Sequence, residues 1–459
     1  MGEPHKTMQL SGWGRMRPEP CRTYRPERLR DCAPVFSDPT PDTLIARGYG
    51  RSYGDAAVNA AGVVDMTRLN RMRSFDPVSG ILECESGVSL EEIIDAFLPN
   101  GFFLPVTPGT KFVTVGGAIA NDVHGKNHHC DGTFSRFVRE LELLTASSEV
   151  LLCSPESNAD IFWATVGGIG LTGCILSAKI QLMRVPSAYI SVDYHRCANL
   201  DAALAAMEER DGAYPYSVAW VDCLAEGNTL GRSVLMHGRH AEPKDLDRRQ
   251  ADRPYAVQTA HKLPVPFNFP GFFLNSWSVQ AFNNWFYNKH PDLEHVIVDY
   301  DRFFYPLDSI LQWNRMYGKR GFVQYQATMP LEHAAGLTKL LEALSASKRA
   351  SFLAVLKRFG EQGPGLLSYP FKGYTLALDI PNHGDITQFL RDLDRMVLDH
   401  GGRLYLAKDA CMSRQSFEAA YPRLSEFRAI KERLDPKGRF SSSMARRLGL
   451  TVQKEAEHG

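Results

Sequence analysis

Between Gly109 and His129 the chain reads G-T-K-F-V-T-V-G-G-A-I-A-N-D-V-H-G-K-N-H-H. Glycine is too frequent there for a regular element, and histidine and amide side chains are too frequent for a plain turn. Gly116 and Gly117 let a backbone approach a ligand with no Cβ in the way. Successive backbone N–H groups in such a loop make a concave anion site suited to a diphosphate. Asn121, Asp122, His124, Lys126, Asn127, His128 and His129 follow at once, so polar chemistry lies beside a phosphate cradle. Two more glycine-rich segments precede residue 175: I-A-R-G-Y-G-R-S-Y-G-D at Ile45–Asp55 and F-W-A-T-V-G-G-I-G-L-T-G at Phe162–Gly173. One diphosphate rarely needs three loops. A long dinucleotide such as FAD, lying extended across a domain, could use them all.

Gly168, Gly170 and Gly173 spell G-x-G-x-x-G, a dinucleotide fingerprint that requires a strand before it and a helix after it. Asp193 even lies at a tempting distance. Yet Leu176, Ala178, Ile180 and Leu182 alternate with Ser177, Lys179 and Gln181. Period two predicts a strand, so the segment reads as a close passage of backbone and not as a Rossmann turn.

The elements that position these loops are mixed. Ile81–Ser86 alternates as a half-buried strand. Ser89-Leu90-Glu91-Glu92 is a capping box opening a helix whose apolar face is Ile93, Ile94, Phe97 and Leu98, ended by Pro99-Asn100-Gly101. Residues 158–166 read as a short helix with Phe162 and Trp163. The glycine loops stop near Pro186, where we place a domain boundary. Beyond it, strands are expected near Tyr189–His195, Ser217–Asp222, Phe322–Met329 and Tyr374–Asp379, and helices at Leu331–Leu344 and Ile386–His400, the last ended by Gly401-Gly402. Gln324 and Gln326, at i and i+2 on one strand, share a face and suit sugar hydroxyls; the ordinary alternative is a solvated sheet face. His124 is the one good neutral-pH base in the second loop, with a purely structural histidine as the equal alternative.

Composition narrows the function classes. The 459 residues suffice for two or three domains, and 52 basic residues balance 52 acidic ones, so no net field draws the chain to nucleic acid or anionic membrane. Nine scattered cysteines without C-x-x-C spacing argue for a reduced compartment and against a disulfide framework or zinc site. No signal peptide, myristoylation signal or spanning helix is expected. Residues 263–288 carry no charge and are dense in Phe and Trp. Pro264, Pro266, Pro270 and Gly271 prevent one continuous helix there. The stretch is either ordinary core or a lid or groove for an apolar ligand.

The three glycine segments, together with L-S-G-W-G-R at Leu10–Arg15, G-F-V-Q-Y-Q at Gly321–Gln326, G-G-R-L-Y-L-A-K-D at Gly401–Asp409 and M-A-R-R-L at Met444–Leu448, run through nearly the whole chain in order. In them the chain resembles the vanillyl-alcohol-oxidase type of FAD flavoprotein, with its PCMH-type FAD domain. Within that superfamily it is similar to the decaprenylphosphoryl-β-D-ribose 2'-oxidase family, the flavin subunits of two-protein epimerases. The resemblance implies an α+β chain of two domains: an FAD-binding domain at 1–187, a substrate domain with an antiparallel sheet at 188–402, and a C-terminal return to the FAD domain at 403–459. It implies FAD contacts from Ala46, Arg47, Gly48, Tyr49, Gly50, Arg51, Ser52, Tyr53, Gly54 and Asp55; from Gly109, Thr114, Val115, Gly116, Gly117, Asn121, Asp122, Val123 and His124; and from Ile175 and Tyr405. Several superfamily members carry a flavin-linked histidine where Arg51 stands. A guanidinium stays protonated and is no nucleophile, so noncovalent FAD is expected, and no metal.

The implied chemistry is oxidation of a secondary sugar alcohol, hydride passing to the flavin and a proton to a base or water. Lys408 matches a family lysine that reaches substrate and flavin, where an ammonium steadies developing negative charge; standing alone it would read as a surface lysine. His124 and Gln326 complete the catalytic expectation. Tyr53, Lys126, Gln324, Trp220 and Lys357 are the substrate-side candidates, Lys126 as a phosphate partner. Two departures, Ala377 where actinobacterial members carry cysteine and Phe304 where they carry tyrosine, bear on the sugar pocket and lipid length. The expected reaction is oxidation of the 2-hydroxyl of a polyprenylphosphoryl-ribofuranose, a separate NAD(P)H-dependent keto-sugar reductase completing the epimerisation. The expected place is the cytoplasm, with peripheral contact at the inner face of the plasma membrane. Two alternatives stand beside it: an oxidase of a soluble sugar, alditol or aldonolactone, and a noncatalytic flavin- or lipid-binding subunit.

Overall fold

The computed structural model describes residues 5–257, 263–270, 275–349 and 353–451. Phe272 and Phe273, in the aromatic stretch, lie outside the described residues. Two sheets build the first part of the chain. One orders Lys6–Leu10, Glu19–Tyr24, Val63–Asp65 and Ile45–Arg47, its first pair antiparallel and the rest parallel. The other is antiparallel and orders Met72–Asp76, Ile81–Glu85, Cys174–Gln181, Val138–Leu144 and Val150–Cys153. The third glycine segment therefore runs from the helix Ala159–Thr165 into a strand, as the alternation requires.

The capping box forms as expected. Ser89 Oγ accepts from Glu92 N at 3.1 Å, and Glu92 Oε2 accepts from Ser89 N at 2.8 Å, which opens the helix Leu90–Phe97. Gly101 ends the following turn in the left-handed region, φ 77°. The second glycine loop is different from its reading. Val115–Ala120 is a helix, capped by Thr114, whose Oγ1 accepts from Gly117 N at 3.1 Å. A Cβ on Gly116 would lie 2.9 Å from Ser86 Cβ, so glycine there lets a helix press on the neighbouring chain. Composition suggested an irregular loop; close packing is the physical reason it is not one.

The second sheet system is one antiparallel, eight-stranded sheet ordered Leu293–Asp299, Tyr189–Cys197, Ser233–His240, Tyr216–Val221, Ala354–Phe359, Gly373–Pro381, Phe322–Pro330 and Arg403–Leu404. Its strands alternate. Val323, Tyr325, Ala327, Met329, Ala354, Leu356, Leu376, Leu378 and Ile380 join a core with Leu200–Arg210, Ala335–Ser347 and Ile386–Asp399, three helices that cover that face. The residues between them point the other way. Arg403–Leu404, read from sequence as the start of the returning segment, is the edge strand of this sheet. After it the chain does meet the first part again. Leu44 N donates to Arg439 O at 2.8 Å and Ser443 N to Val58 O at 2.8 Å.

That return is fastened by Lys431, whose Nζ is buried and donates to Leu171 O at 3.0 Å, Phe440 O at 2.9 Å and Asp435 Oδ2 at 3.0 Å. One ammonium thus joins the helix Leu424–Leu434 to the third glycine segment and to the returning strand bridge at Phe440. Lys431→Ala leaves Asp435 buried beside two orphaned carbonyls. We expect a loss of about 3 kcal/mol or more in urea unfolding of the FAD-loaded protein, the scale for breaking a buried pair; a change under about 0.5 kcal/mol, typical of a surface site, would refute the fastening role.

Candidate active site

The face of the eight-stranded sheet turned away from its helices closes a cavity of about 600 Å³ against the glycine loops. Sheet residues on its wall are Tyr194, Val218, Trp220, Met236, Val298, Gln324, Gln326, Val355, Lys357 and Ala377. Each lies one place out of register with the core-facing set. Opposite stand Ala46 to Tyr53, Gly109, Thr114, Gly116, Gly117, Asn121, Val123, His124, Lys126, Ile175, Tyr405 and Lys408. Both glutamines are buried, so the solvated-face alternative falls away.

The loop half fits a diphosphate-bearing dinucleotide. The backbone N–H groups from Gly48 to Ser52 donate to no acceptor among the described residues, and Gly50 takes a left-handed φ of 65°. Consecutive free donors in such a loop form an anion nest. The nest is here and not at Gly116-Gly117, where Gly116 N already donates to Ser86 O at 2.8 Å and Gly117 N to the Thr114 cap. Five buried polar atoms without a partner line the same cavity: Arg51 Nε, Ser86 Oγ, Asn121 Oδ1, His124 Nδ1 and Trp220 Nε1. Native interiors leave few such atoms, so a polar ligand is expected to meet them. The Arg51 guanidinium sits 3.9 Å over the Trp13 ring and 5.0 Å from that of Phe112. Burial lowers its pKa, but a guanidinium still remains charged.

Four expected FAD residues are not on the wall. Gly54 backs onto the Lys408 turn, where a Cβ would fall 1.8 Å from Asp409 O. Asp55 turns outward to Arg447, Oδ1 to Nη2 2.6 Å. Val115 is core and gives its N–H to Val88 O. Asp122 is fully buried, accepting from Ser368 Oγ at 2.5 Å and from Ser135 N at 3.3 Å. These hold the loops; glycine-loop membership alone could not separate them from contact residues. Arg47 is on the wall, yet its guanidinium is spent on Ala57 O and Ser11 O, at 2.9 and 2.8 Å.

The sheet half is electrostatically unusual. Lys126, Lys357 and Lys408 share the cavity. Burial pushes Lys408 down to about 7, with Asp379 opposing and Lys357 adding to the fall. Burial and then Lys357 push Lys126 down to about 7, and burial alone brings Lys357 to about 8. Lys408 Nζ lies 3.9 Å over the Tyr53 ring. Lys126 donates to Phe303 O and lies 4.2 Å from the Phe303 ring. Among the described residues neither Lys126 nor Lys357 has a carboxylate partner. Asp379, raised to about 7 by burial, accepts from Gln324 Nε2 at 2.6 Å.

Gln326 Nε2 lies 3.1 Å from His124 Nε2 and 3.2 Å from Thr375 Oγ1. With the amide so turned, Nε2 of the imidazole is the acceptor and its proton rests on Nδ1. Burial first, then Lys357, His128 and Lys408, hold His124 well below the usual histidine range. The ring is packed by Phe359 at 4.7 Å and Tyr405 at 5.5 Å. A neutral ring locked this way favours positioning Gln326 over serving as a base. Asp379, Thr375, Trp13 and Arg447 are site components the sequence reading did not single out. Period two from Gln324 would have flagged Thr375 and Asp379 once their strand was paired; nothing local flags Arg447.

The aromatic stretch resolves into the helix Ser276–Lys289, with residues 263–270 irregular but for Leu263–Pro264. Phe282 and Phe286 line the cavity, and Phe286 meets Trp220 at 4.6 Å. Trp277 and Trp285 remain exposed, 82% and 53%. This is a wall element with an outward aromatic stripe, not ordinary core. Polar groups pin it: Asn283 Nδ2 donates to buried Asp222 Oδ1 at 2.6 Å, and Arg232 bridges Asp222 Oδ2 at 2.7 Å to Asn284 Oδ1 at 2.5 Å.

Comparison with known proteins agrees with this geometry. Residues 39–154 match the family model of an FAD binding domain, and residues 371–448 that of D-arabinono-1,4-lactone oxidase. The chain is 39% identical over 453 residues to decaprenylphosphoryl-β-D-ribose oxidase of Mycolicibacterium smegmatis, covering 97% of this chain and 98% of that one. It is 25% identical over 414 residues to L-gulonolactone oxidase of Bos taurus, covering 86% of each. Cofactor attachment is the testable point. With Arg51 capped by Trp13 and carrying no nucleophilic lone pair, acid precipitation is expected to release all FAD into the supernatant. Flavin colour retained in the washed pellet would contradict the noncovalent assignment.

Proposed function

We infer that this chain, which belongs to the decaprenylphosphoryl-β-D-ribose oxidase family of FAD-dependent oxidoreductases, oxidises the 2-hydroxyl of a polyprenylphosphoryl-β-D-ribofuranose to the 2-keto sugar. The observation that carries the reading is the pair Lys126 and Lys357, two amines in one cavity, neither with a carboxylate partner among the described residues. Buried like charges call for an anion. A phosphodiester supplies one, whereas an uncharged alditol or lactone does not. Phe282, Phe286 and Trp220 provide an apolar wall for the first prenyl units. A noncatalytic subunit would have no use for three depressed lysines around a dinucleotide cavity.

The Gly48–Ser52 donors and the unpartnered Ser86, Asn121 and Arg51 atoms would hold FAD, which would supply the two-electron acceptor for the alcohol carbon, the hydroxyl proton leaving to water. The chain's own residues do the rest. Lys126 and Lys357 anchor the phosphate. Gln324 and Gln326 have their NH₂ groups committed to Asp379 and to His124 and Thr375, which leaves carbonyl oxygens to accept from sugar hydroxyls. Lys408 places an ammonium where negative charge grows on the reacting oxygen. The 2-keto product then requires a hydride-donating reductase to reach the arabino epimer, and we assign that step to a separate NAD(P)H-dependent partner. Exposed Trp277 and Trp285 beside the cavity support peripheral contact with the lipid surface that carries the substrate, at the inner face of the plasma membrane. Among the described residues no helix is long and apolar enough to cross a membrane.

Anaerobic bleaching of the flavin tests the substrate. Polyprenylphosphoryl ribose should bleach it, ribose and lactones should not, and Lys126→Met with Lys357→Met should weaken binding of the phosphorylated substrate by a hundredfold or so, about 2–3 kcal/mol for lost charge-assisted bonds. Bleaching by free sugars at equal efficiency would overturn the reading in favour of a soluble-sugar oxidase.

Lys408→Ala should slow flavin reduction about a hundredfold, roughly 3 kcal/mol, as loss of one positioned donor does, with FAD content unchanged. The pH profile gives a sign. The catalytic form is charged, so activity holds below the folded value near 7 and falls above it. Asp379 raises the Lys408 value, so Asp379→Asn should move the falling limb to lower pH. A limb that stays in place or moves up would contradict the pairing.

A further inference from the structure

Arg447, on the C-terminal helix Ser443–Leu448, lies outside the cavity wall yet holds two of the segments that build it. Its Nη2 donates to Asp55 Oδ1 at 2.6 Å and its Nε lies 3.2 Å from Asp55 Oδ2, a forked contact with the end of the first glycine loop. The same Nη2 is 2.9 Å from Asp409 Oδ2, next in sequence to Lys408. Nη1 donates to Met412 O at 2.7 Å, closing the turn that Asp409 Oδ1 opens by accepting from Cys411 N and Met412 N at 2.9 and 2.7 Å. All three charged side chains are largely buried: 18% exposed for Arg447, 24% for Asp55 and 6% for Asp409.

The two clamped segments are also zipped to each other. Tyr53 N donates to Ala407 O at 2.8 Å, and Gly54 leaves no room for a Cβ against Asp409 O. The outcome at the cavity is the 3.9 Å stack of Lys408 Nζ on Tyr53. Only a planar fork can serve both carboxylates and a carbonyl from one side; a lysine offers a single point charge.

We propose that Arg447 is a positioning residue that fixes Lys408 against the FAD-binding loop, so that cofactor retention and catalytic rate are set together by one guanidinium. The inference rests on the role of Lys408 given above for its kinetic part alone.

Arg447→Ala and Arg447→Lys, purified in FAD, provide the test. Two readouts are taken: FAD retained after dilution, by flavin fluorescence, and reduction rate per bound flavin with the sugar substrate. Arg447→Ala should lose FAD about tenfold more readily and react about tenfold more slowly per bound flavin with KM unchanged, the scale seen when a partner orienting a reactive group is removed. Guanidinium at millimolar concentration should restore both. Arg447→Lys, which keeps charge at Asp55 but cannot also reach Asp409, should keep FAD and still react slowly. Arg446→Ala, which removes a neighbouring helix contact to Asn59 Oδ1 (3.0 Å), should alter neither readout. A rate per bound flavin equal to the parent in both Arg447 variants would reduce Arg447 to a packing contact. If the alanine variant does not fold, the lysine variant decides. FAD retention needs no substrate, so a wrong sugar assignment leaves that arm intact and is recognised by slow parent turnover.

Discussion

Three lysine side chains in one cavity, two of them without a carboxylate partner among the described residues, are the constraint from which the rest of the structure follows. Water solvates an ammonium far better than a protein interior does, and an isolated buried charge responds by giving up its proton. The depressed values of Lys126, Lys357 and Lys408 express that response. Such an arrangement persists only if its frame is rigid enough to keep the groups from swinging out to solvent. The eight-stranded sheet supplies the frame. Three helices seal one face with aliphatic side chains, which frees the other face to be polar. Lys431 and Arg447, both outside the cavity, hold the C-terminal return against the loops that complete it.

Much of this was legible in the sequence, because period two and capping chemistry are local. The Ser89 box, the strand after the third glycine segment and the shared face of Gln324 and Gln326 all formed as their residues dictate. Lys357 could be suspected but not placed, since its strand, Ala354–Phe359, pairs with residues about 20 and 135 positions away, and only that pairing turns it inward. The helix at Val115–Ala120 was hidden because a glycine-rich stretch has poor helical propensity; the Thr114 cap and the pressure of Ser86 override it. Arg447 was hidden for a different reason. Its partners lie 392 and 38 residues back, and no spacing rule links them.

Ala377 and Phe304 gain meaning from their position. Ala377 and Phe304 both line the cavity. Ala377 pairs with Gln326 on one side and Val355 on the other, so its small side chain widens the floor between an amide and the Lys357 strand. Phe304 packs among Phe103, Tyr216 and Phe303 in an aromatic group behind Lys126. Phe304 itself adds no hydroxyl to the wall behind Lys126, where Tyr216 and His240 are the polar-tipped neighbours of the group. Both residues shape the cavity wall on the Lys126 and Lys357 side.

Arg51 extends the same logic to the cofactor half. A guanidinium stacked on Trp13, with Nε buried and without a hydrogen-bond partner among the described residues, gains cation–π attraction and the field of buried Asp308 but forms no ion pair among the described residues. The free N–H groups of Gly48 to Ser52 lie in the same loop and have the same deficit. Positive character thus gathers at two places on one cavity wall, in the nest and at the lysine pair. On the function proposed above, a dinucleotide diphosphate answers the first and a substrate phosphodiester the second. Each anion also supplies stability in proportion to its binding, because only the folded chain assembles either site. In this fold the ligands would complete an electrostatic balance that the cavity lining leaves open, at Arg51, in the nest and at the lysine pair.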